Sequence, residues 1–315
     1  MPGLSLRACR SQDLPALVAL LNAAGRVNDA GWHTTLPCLA RELGLLARPS
    51  SADAFVADVD GQLVGHARLS VRYHADHDRL YVAGAVHPAW RRQGVGMALM
   101  RRVEERAREL RGERSAFLQM RAREEMPGTA ELAQVLGMQP VRHYLWMERS
   151  GLRDVPEASL PPGLRLRGLQ PGQDDAAFLT AYNEAFADHW GTAPRSLAQE
   201  HERRAAPGFR AEDTLLVETT AGEIAGLCIL LFPPGREAAA GTPGLIDDVA
   251  VRPAFRRQGL GRALVLAGLL RLREQGMGSA GLVVDADNPN QAHRLYEALG
   301  FRVVSRSTTY QKTVA

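Results

Sequence analysis

The sequence has little that could staple the fold or cross a bilayer. Its 315 residues include three cysteines, Cys9, Cys38 and Cys228, far apart and in no Cys-x-x-Cys pair. That spacing suggests neither a disulfide framework nor a metal site, and it reads the three as buried small hydrophobes. The N-terminus lacks the basic-then-apolar order of a signal peptide, because Ser11-Gln12-Asp13 interrupts it early. The apolar stretch from Leu14 to Ala24 is too short to span a membrane. A cytoplasmic protein with no membrane partner is therefore expected. One-sided charge is also missing, since the net charge is only +3. The basic residues are nearly all arginine and mix with glutamate, as in Arg101-Arg102-Val103-Glu104-Glu105-Arg106. Such mixing reads as a solvated helix face, so no nucleic-acid partner is expected. An apolar content of 45% is ordinary and large enough to build a core without staples.

What the chain does contain is one segment written twice. Ala85-Val86-His87-Pro88-Ala89-Trp90-Arg91-Arg92-Gln93-Gly94-Val95-Gly96 returns 165 residues later as Ala250-Val251-Arg252-Pro253-Ala254-Phe255-Arg256-Arg257-Gln258-Gly259-Leu260-Gly261. Each copy follows a β-branched apolar stretch and leads into a helix-periodic run. A strand end, a glycine loop and a helix N-terminus together make an anion site from backbone N–H groups and the helix dipole. The flanking elements repeat as well. Leu4–Arg7 and Leu164–Arg167 read as opening strands, and Asp60-Gly61 and Ala221-Gly222 as hairpin turns. Leu136-Gly137-Met138 and Leu299-Gly300-Phe301 read as matching helix stops. Pro156, Pro161 and Pro162 mark a linker over 151–163, between domains 1–150 and 164–315. The proline- and glycine-rich stretch from Pro233 to Pro243 reads as a long loop near an acceptor site.

Each half resembles the GCN5-related N-acetyltransferase (GNAT) family. The resemblance rests on Arg91-x-x-Gly94-x-Gly96 and Arg256-x-x-Gly259-x-Gly261, and on Asn288 followed by Leu295-Tyr296-Glu297-Ala298-Leu299-Gly300-Phe301. It covers nearly the whole chain. It implies an α/β fold of two tandem domains. Each would be a mixed, mostly antiparallel sheet flanked by helices, with a splayed parallel strand pair. It implies acetyl-CoA as co-substrate, with its pyrophosphate on Arg256, Arg257, Gln258, Gly259, Leu260 and Gly261, or on Val86, Arg91, Arg92, Gln93, Gly94, Val95 and Gly96. Backbone N–H groups of Val249, Ala250 and Val251 would hold the thioester carbonyl and the pantetheine, and Asn288 would face the cofactor. Asn288 before Pro289 also suits a helix N-cap with proline at the first position.

The resemblance makes Tyr296 the proton donor to the leaving thiolate; packing against Ala292 one turn earlier is the structural alternative. Acceptor amines are mostly protonated at neutral pH, so a base is needed. Asp247 and Asp248 occupy the family's acidic positions. Strand alternation allows only one of them to face the reaction; Asp247, which shares a face with Val249 and Val251, is the expected base, directly or through water, and Asp248 would hold an adjacent group. Many relatives carry a glutamate where this chain has Leu245, so a water relay from Glu184 or His189 stays open. A structural or acceptor-binding role for the aspartates stays open as well. Glu184, His189 and Trp190 lie where the family builds its acceptor wall.

In the first half, Ala133 stands at the Tyr296 position, and Val82 and Ala83 at the aspartates. That half is expected to be catalytically degenerate. The expected function is transfer of an acetyl group to a primary amine of a small molecule, in a ternary complex and without a metal, by the second half. A protein or peptide N-acetyltransferase and a non-catalytic CoA-binding regulatory module are the alternatives. The expected state is a monomer acting as an intramolecular pseudo-dimer, or a homodimer.

Overall fold

A computed structural model describes the chain except for residues 1–2, 28–33, 46–49, 75, 127, 206–207, 233–241 and 289. In chain order the elements begin with β1 (Leu4–Arg10), α1 (Leu14–Val27), α2 (Leu36–Glu42), β2 (Ser50–Val59), β3 (Gln62–Tyr73) and β4 (Asp78–Val86). They continue with α3 (Val95–Arg111), β5 (Ala116–Arg123), α4 (Thr129–Val135) and β6 (Gln139–Ser150). After the repeat point come β7 (Leu164–Gly168), α5 (Asp175–Ala185), α6 (Leu197–Arg204), β8 (Leu215–Thr219), β9 (Ile224–Leu231) and β10 (Gly244–Val251). The chain closes with α7 (Leu260–Glu274), β11 (Ser279–Asp285), α8 (Ala292–Ala298) and β12 (Arg302–Thr313). No helix among the described residues is long and apolar enough to cross a membrane.

The chain divides into two compact units, Met1–His143 with Arg306–Ala315, and Tyr144–Ser305. This differs from the expected division at 150 and 163, and the reason is an exchange of strands. In the first unit β1, β2, β3 and β4 pair antiparallel, and β5 joins β4 in parallel. Its sixth position is filled by Ser307–Thr313 of β12, from the far end of the chain, antiparallel to β5. In the second unit β7 to β10 repeat the antiparallel order, and β11 joins β10 in parallel. Its sixth position is filled by Tyr144–Ser150 of β6, from the first half. Each half thus covers the sheet edge that the other would leave bare, and a bare edge is a template for unwanted pairing.

The expected linker also belongs to a core. Leu152 is 2% and Val155 7% exposed, and both pack with β11 and α7 residues in the second unit. Of the cysteines, Cys9 and Cys228 are fully buried as expected, whereas Cys38 is only half-buried. Most of the expected loop from Pro233 to Pro243 lies outside the described residues.

In both units one helix packs against the sheet face behind the glycine loop. Val95, Leu99 and Val103 of α3, and Leu260, Leu264 and Leu272 of α7, are buried there at 3% exposure or less. On the opposite face of the second sheet, Phe178, Ala181 and Tyr182 of α5 cover Leu216, Leu227, Ile229 and Ala250.

Candidate active site

The parallel pair of each unit separates partway along, and the second separates sooner. β4 and β5 stay paired from Asp78–Ala116 to Val82–Met120. β10 and β11 pair only at Gly244–Ala280 and Leu245–Gly281. Beyond Leu245 the β11 side of β10 is open. The Arg252 N–H donates to the Ala225 carbonyl at 3.0 Å. Successive N–H groups on a strand point opposite ways, so the Ala250 N–H also points to β9 and is spent on the sheet. The N–H groups of Val249 and Val251 point into the gap. The expectation for three backbone donors therefore narrows to two.

The loop beyond β10 is built to expose N–H groups. Gly259 has φ 81° and Gly94 φ 86°, a left-handed conformation that a side chain would strain, and each directly precedes its helix. Arg257 and Arg92 are left-handed too, with φ 64° and 61°. The side chains of Leu260 and Val95 are buried at 1% exposure, which leaves only their backbone for a ligand. Gln258 and Gln93 donate back to the Ala254 and Ala89 carbonyls, at 3.5 and 3.0 Å, and brace the turn.

The first arginine of each pair is not a free phosphate ligand. Arg256 donates to the Val251 carbonyl (3.1 Å), the Ala185 carbonyl (2.9 Å) and Asp188 (2.7 Å), tying the strand end to α5. Arg91 likewise reaches the Val86 carbonyl. The second arginine differs between units. Arg92 is ion-paired to Glu131 on α4. The matching helix stops align Glu131 with Arg294, and among the described residues Arg257 has no carboxylate partner. The second loop is therefore the more electropositive.

Asp247 and Asp248 do not separate by alternation as expected. The register with β9 shifts between Ile246 and Asp248, a bulge at Asp247. Both carboxylates consequently reach the same Nη2 of Arg203 on α6, Asp248 at 3.1 Å. Asp248 follows Ala250 onto the α5 face, where the Tyr182 hydroxyl donates to it at 3.2 Å. Arg195 donates to the same hydroxyl at 2.5 Å and lies over the Tyr182 ring at 3.8 Å. Burial and the neighbouring Asp247 charge push the Asp248 carboxyl up to about 6, with Arg203 and Arg195 pulling the other way. A carboxyl so placed is ionised at neutral pH yet basic enough to accept a proton. Among the described residues, Arg203 Nη1 is buried without a hydrogen-bond partner.

Tyr296 sits on α8 at the edge of the α7-side core, edge-on to Phe301 at 5.9 Å. Its hydroxyl makes no hydrogen bond to a described residue. Burial pushes the phenol above its ordinary value, and the Cys228 and Asp248 charges add to the effect. It stays protonated through neutral pH, as a proton donor must.

The remaining expected residues are less central. Glu184 is bound to Arg252 at 2.7 Å, at the far end of β10, and does not join the aspartates. His189 stacks on Phe186 at 5.5 Å, and Phe186 lies against Tyr182 at 4.6 Å, so it ends an aromatic row that starts beside Asp248. Trp190 is half-buried in the same loop. Asn288 is not a helix N-cap, because α8 begins at Ala292 after Gln291. Its side chain instead accepts from the Asn290 N–H at 2.8 Å, while Pro289 lies outside the described residues. Tyr182, Arg195 and Arg203 were not expected. The four-residue spacing of Phe178, Tyr182 and Phe186 carried a signal for the aromatic row; nothing in the sequence marked Arg203.

A six-stranded mixed sheet that splits beside a glycine loop and a helix N-terminus defines the N-acetyltransferases that draw acyl groups from CoA. The chain belongs to the acetyltransferase (GNAT) family, whose model matches residues 21–127 and 176–301, and it is an N-acetyltransferase with two GNAT domains in tandem. Among named relatives, the mycothiol acetyltransferase of Thermomonospora curvata is 33% identical over 94% of this chain and 92% of its own length. That of Thermobispora bispora is 37% identical over 92% of each. A GCN5-related N-acetyltransferase of Sphaerobacter thermophilus shares the fold over 100% of this chain and 96% of its own, with a TM-score of 0.78 at 24% identity.

Proposed function

We propose that the chain transfers the acetyl group of acetyl-CoA to the primary amine of a small molecule, and that the reaction runs in the second unit. The observation that carries this is the convergence, around the β10–β11 gap, of a basic carboxylate, a protonated phenol and two free backbone donors. The relatives' name, mycothiol acetyltransferase, supports a small-molecule acceptor. The Gly259 turn, the first N–H groups of α7 and Arg257 suit a pyrophosphate.

The residues divide the work as follows. Arg203 spans both aspartates as an acceptor ammonium would, and an arriving ammonium takes its place at Asp248. Asp248, in place of the expected Asp247, removes a proton from that ammonium and frees its lone pair, because burial raises the Asp248 carboxyl. The N–H groups of Val249 and Val251 polarise the thioester carbonyl as the nitrogen attacks. The C–N bond forms, the C–S bond breaks, and Tyr296 gives its proton to the departing sulfur; the second proton shed by the nitrogen as the amide forms restores the Tyr296 phenol, and the one held by Asp248 passes to solvent. In the first unit Ala133, Val82 and Ala83 supply none of these groups, and its role is structural or a weaker CoA site.

The test is Tyr296→Phe, assayed by thiol release from acetyl-CoA with a panel of small amines and peptides. kcat should fall about 10²–10⁴-fold, with the Kd for CoA nearly unchanged. An unchanged kcat removes Tyr296 from the reaction, and turnover confined to peptides replaces the small-molecule acceptor.

A further inference from the structure

The sheet face that carries Asp248 is covered by α5 over β8 and β9, but it is barer over β11. Val283 on β11 is 52% exposed. Beside it lies a residue from the other half of the chain. Trp146 of β6 stands opposite Val283 in the register. Its ring crosses β11 toward β10: a Cβ on Gly281 would lie 2.6 Å from Cζ2 and Cη2 of the indole and 3.5 Å from Cδ2 of Leu245. Gly281 and Leu245 form the last pair before β10 and β11 part. The indole thus reaches the root of the reaction gap, on the same face as Asp248, and only a glycine at 281 lets it do so.

The indole is also fixed. Its only polar atom, Nε1, donates to Glu148 at 2.6 Å, two residues along the same strand. What the side chain offers to a ligand is carbon alone. With Leu245 and Val283 it makes a shelf running from β10 to β6, two strand spacings or about 10 Å. A bare alkylammonium bound at Asp248 would leave such a shelf unused. A ring with a C–H face would cover it.

We propose that Trp146 is a specificity-determining residue for the acceptor: its indole, held by Glu148, carries the C–H face of the ring of a small amine whose nitrogen reaches Asp248. Glu148 is then a positioning residue. The inference rests on the reading of the second unit as the reaction site and adds the acceptor's class, a ring-bearing amine such as an amino sugar.

Glucosamine and ethanolamine share a β-amino alcohol and differ in the ring, so the pair isolates the shelf. In the full chain, Trp146→Ala should raise KM for glucosamine about tenfold, as expected for one lost aromatic contact. KM for acetyl-CoA and kcat/KM for ethanolamine should stay within about twofold. Trp146→Phe should recover part of the loss, and Glu148→Gln should show a smaller loss for glucosamine alone. An equal loss for both amines, or no loss, overturns the proposal. If the wild type acetylates neither amine, the binding arm still decides. Glucosamine added with CoA should quench tryptophan fluorescence in the wild type and not in Trp146→Ala. Absence of that quenching overturns the shelf, whereas quenching without turnover overturns only the assignment of the reaction.

Discussion

The two units share a loop and differ in everything around it. Both carry a left-handed glycine before a helix whose inner face is buried, and both brace it with the first arginine of the pair. In the first unit the strands stay paired over five positions rather than two, the second arginine is neutralised by Glu131, and Ala133, Val82 and Ala83 stand where the second unit has Tyr296, Asp247 and Asp248. In the second unit the strands part after Leu245, the second arginine has no carboxylate partner among the described residues, and a bulge turns two carboxylates toward one guanidinium. A phosphate-gripping turn is therefore not by itself a catalytic site. Chemistry needs the open strand edge and groups whose protonation the surroundings have shifted.

Beyond Tyr296→Phe, the largest effect expected to separate the units is at Asp248. Because its carboxyl is raised to about 6, kcat/KM should climb with pH through that value and level off above it, as the base becomes ionised. Asp248→Asn should lower kcat/KM about a hundredfold or more and abolish that limb. Arg203 holds the Asp248 carboxyl down, so Arg203→Met should move the limb to higher pH. A limb that survives in Asp248→Asn assigns the base elsewhere.

A second contrast concerns stability. The registers Gly65–Val86 and Gly226–Val251 align His66 of the first unit with Leu227 of the second. His66 is 5% exposed, and neither ring nitrogen has a partner among the described residues. Burial, aided by the Arg68 charge, lowers its pKa from 6.5 to about 4. The unfolded chain thus binds the proton more readily. The stability tied to neutral His66 is complete above pH 6.5 and is lost as pH falls toward 4, by about 3 kcal/mol. Denaturant titrations from pH 7 to 4 should show the loss, and His66→Leu should remove it. Equal acid sensitivity in the variant would place the titrating group elsewhere.

The smallest effect sharpens the loop comparison. Arg92 and Glu131 form an exposed pair, with side chains 76% and 60% accessible. Glu131→Gln should free Arg92 and tighten CoA binding by the first unit about two- to fivefold. Calorimetry on a Gly259→Val background, where the second loop is disabled, isolates that site. Unchanged affinity there would show that Glu131 does not limit the first loop.

Much of this was legible in the sequence because the repeat carries it locally. The loop, its helix, the flanking strands and Tyr296 all depend on residues within one turn or strand of each other. What escaped depends on partners far away. β6 and β12 are 12 residues each, yet their pairing strands lie in the other half, so no local pattern announced the exchange. The bulge at Asp247 is a property of the β9–β10 register, and it overturned an alternation argument that holds for regular strands. Arg203, Arg195 and Tyr182 converge on Asp248 from three places between 182 and 203, and only tertiary packing brings them there. Arg256 looked like a phosphate ligand because its carbonyl partners, at Val251 and Ala185, are backbone atoms that a sequence does not advertise.

Backbone hydrogen exchange of the full chain, with and without acetyl-CoA, shows which loop holds the working co-substrate. Strong protection is expected across 249–262 at concentrations that support turnover, with weaker protection or none across 86–97. Protection confined to 86–97 in the active protein, with 249–262 unaltered, would contradict that expectation.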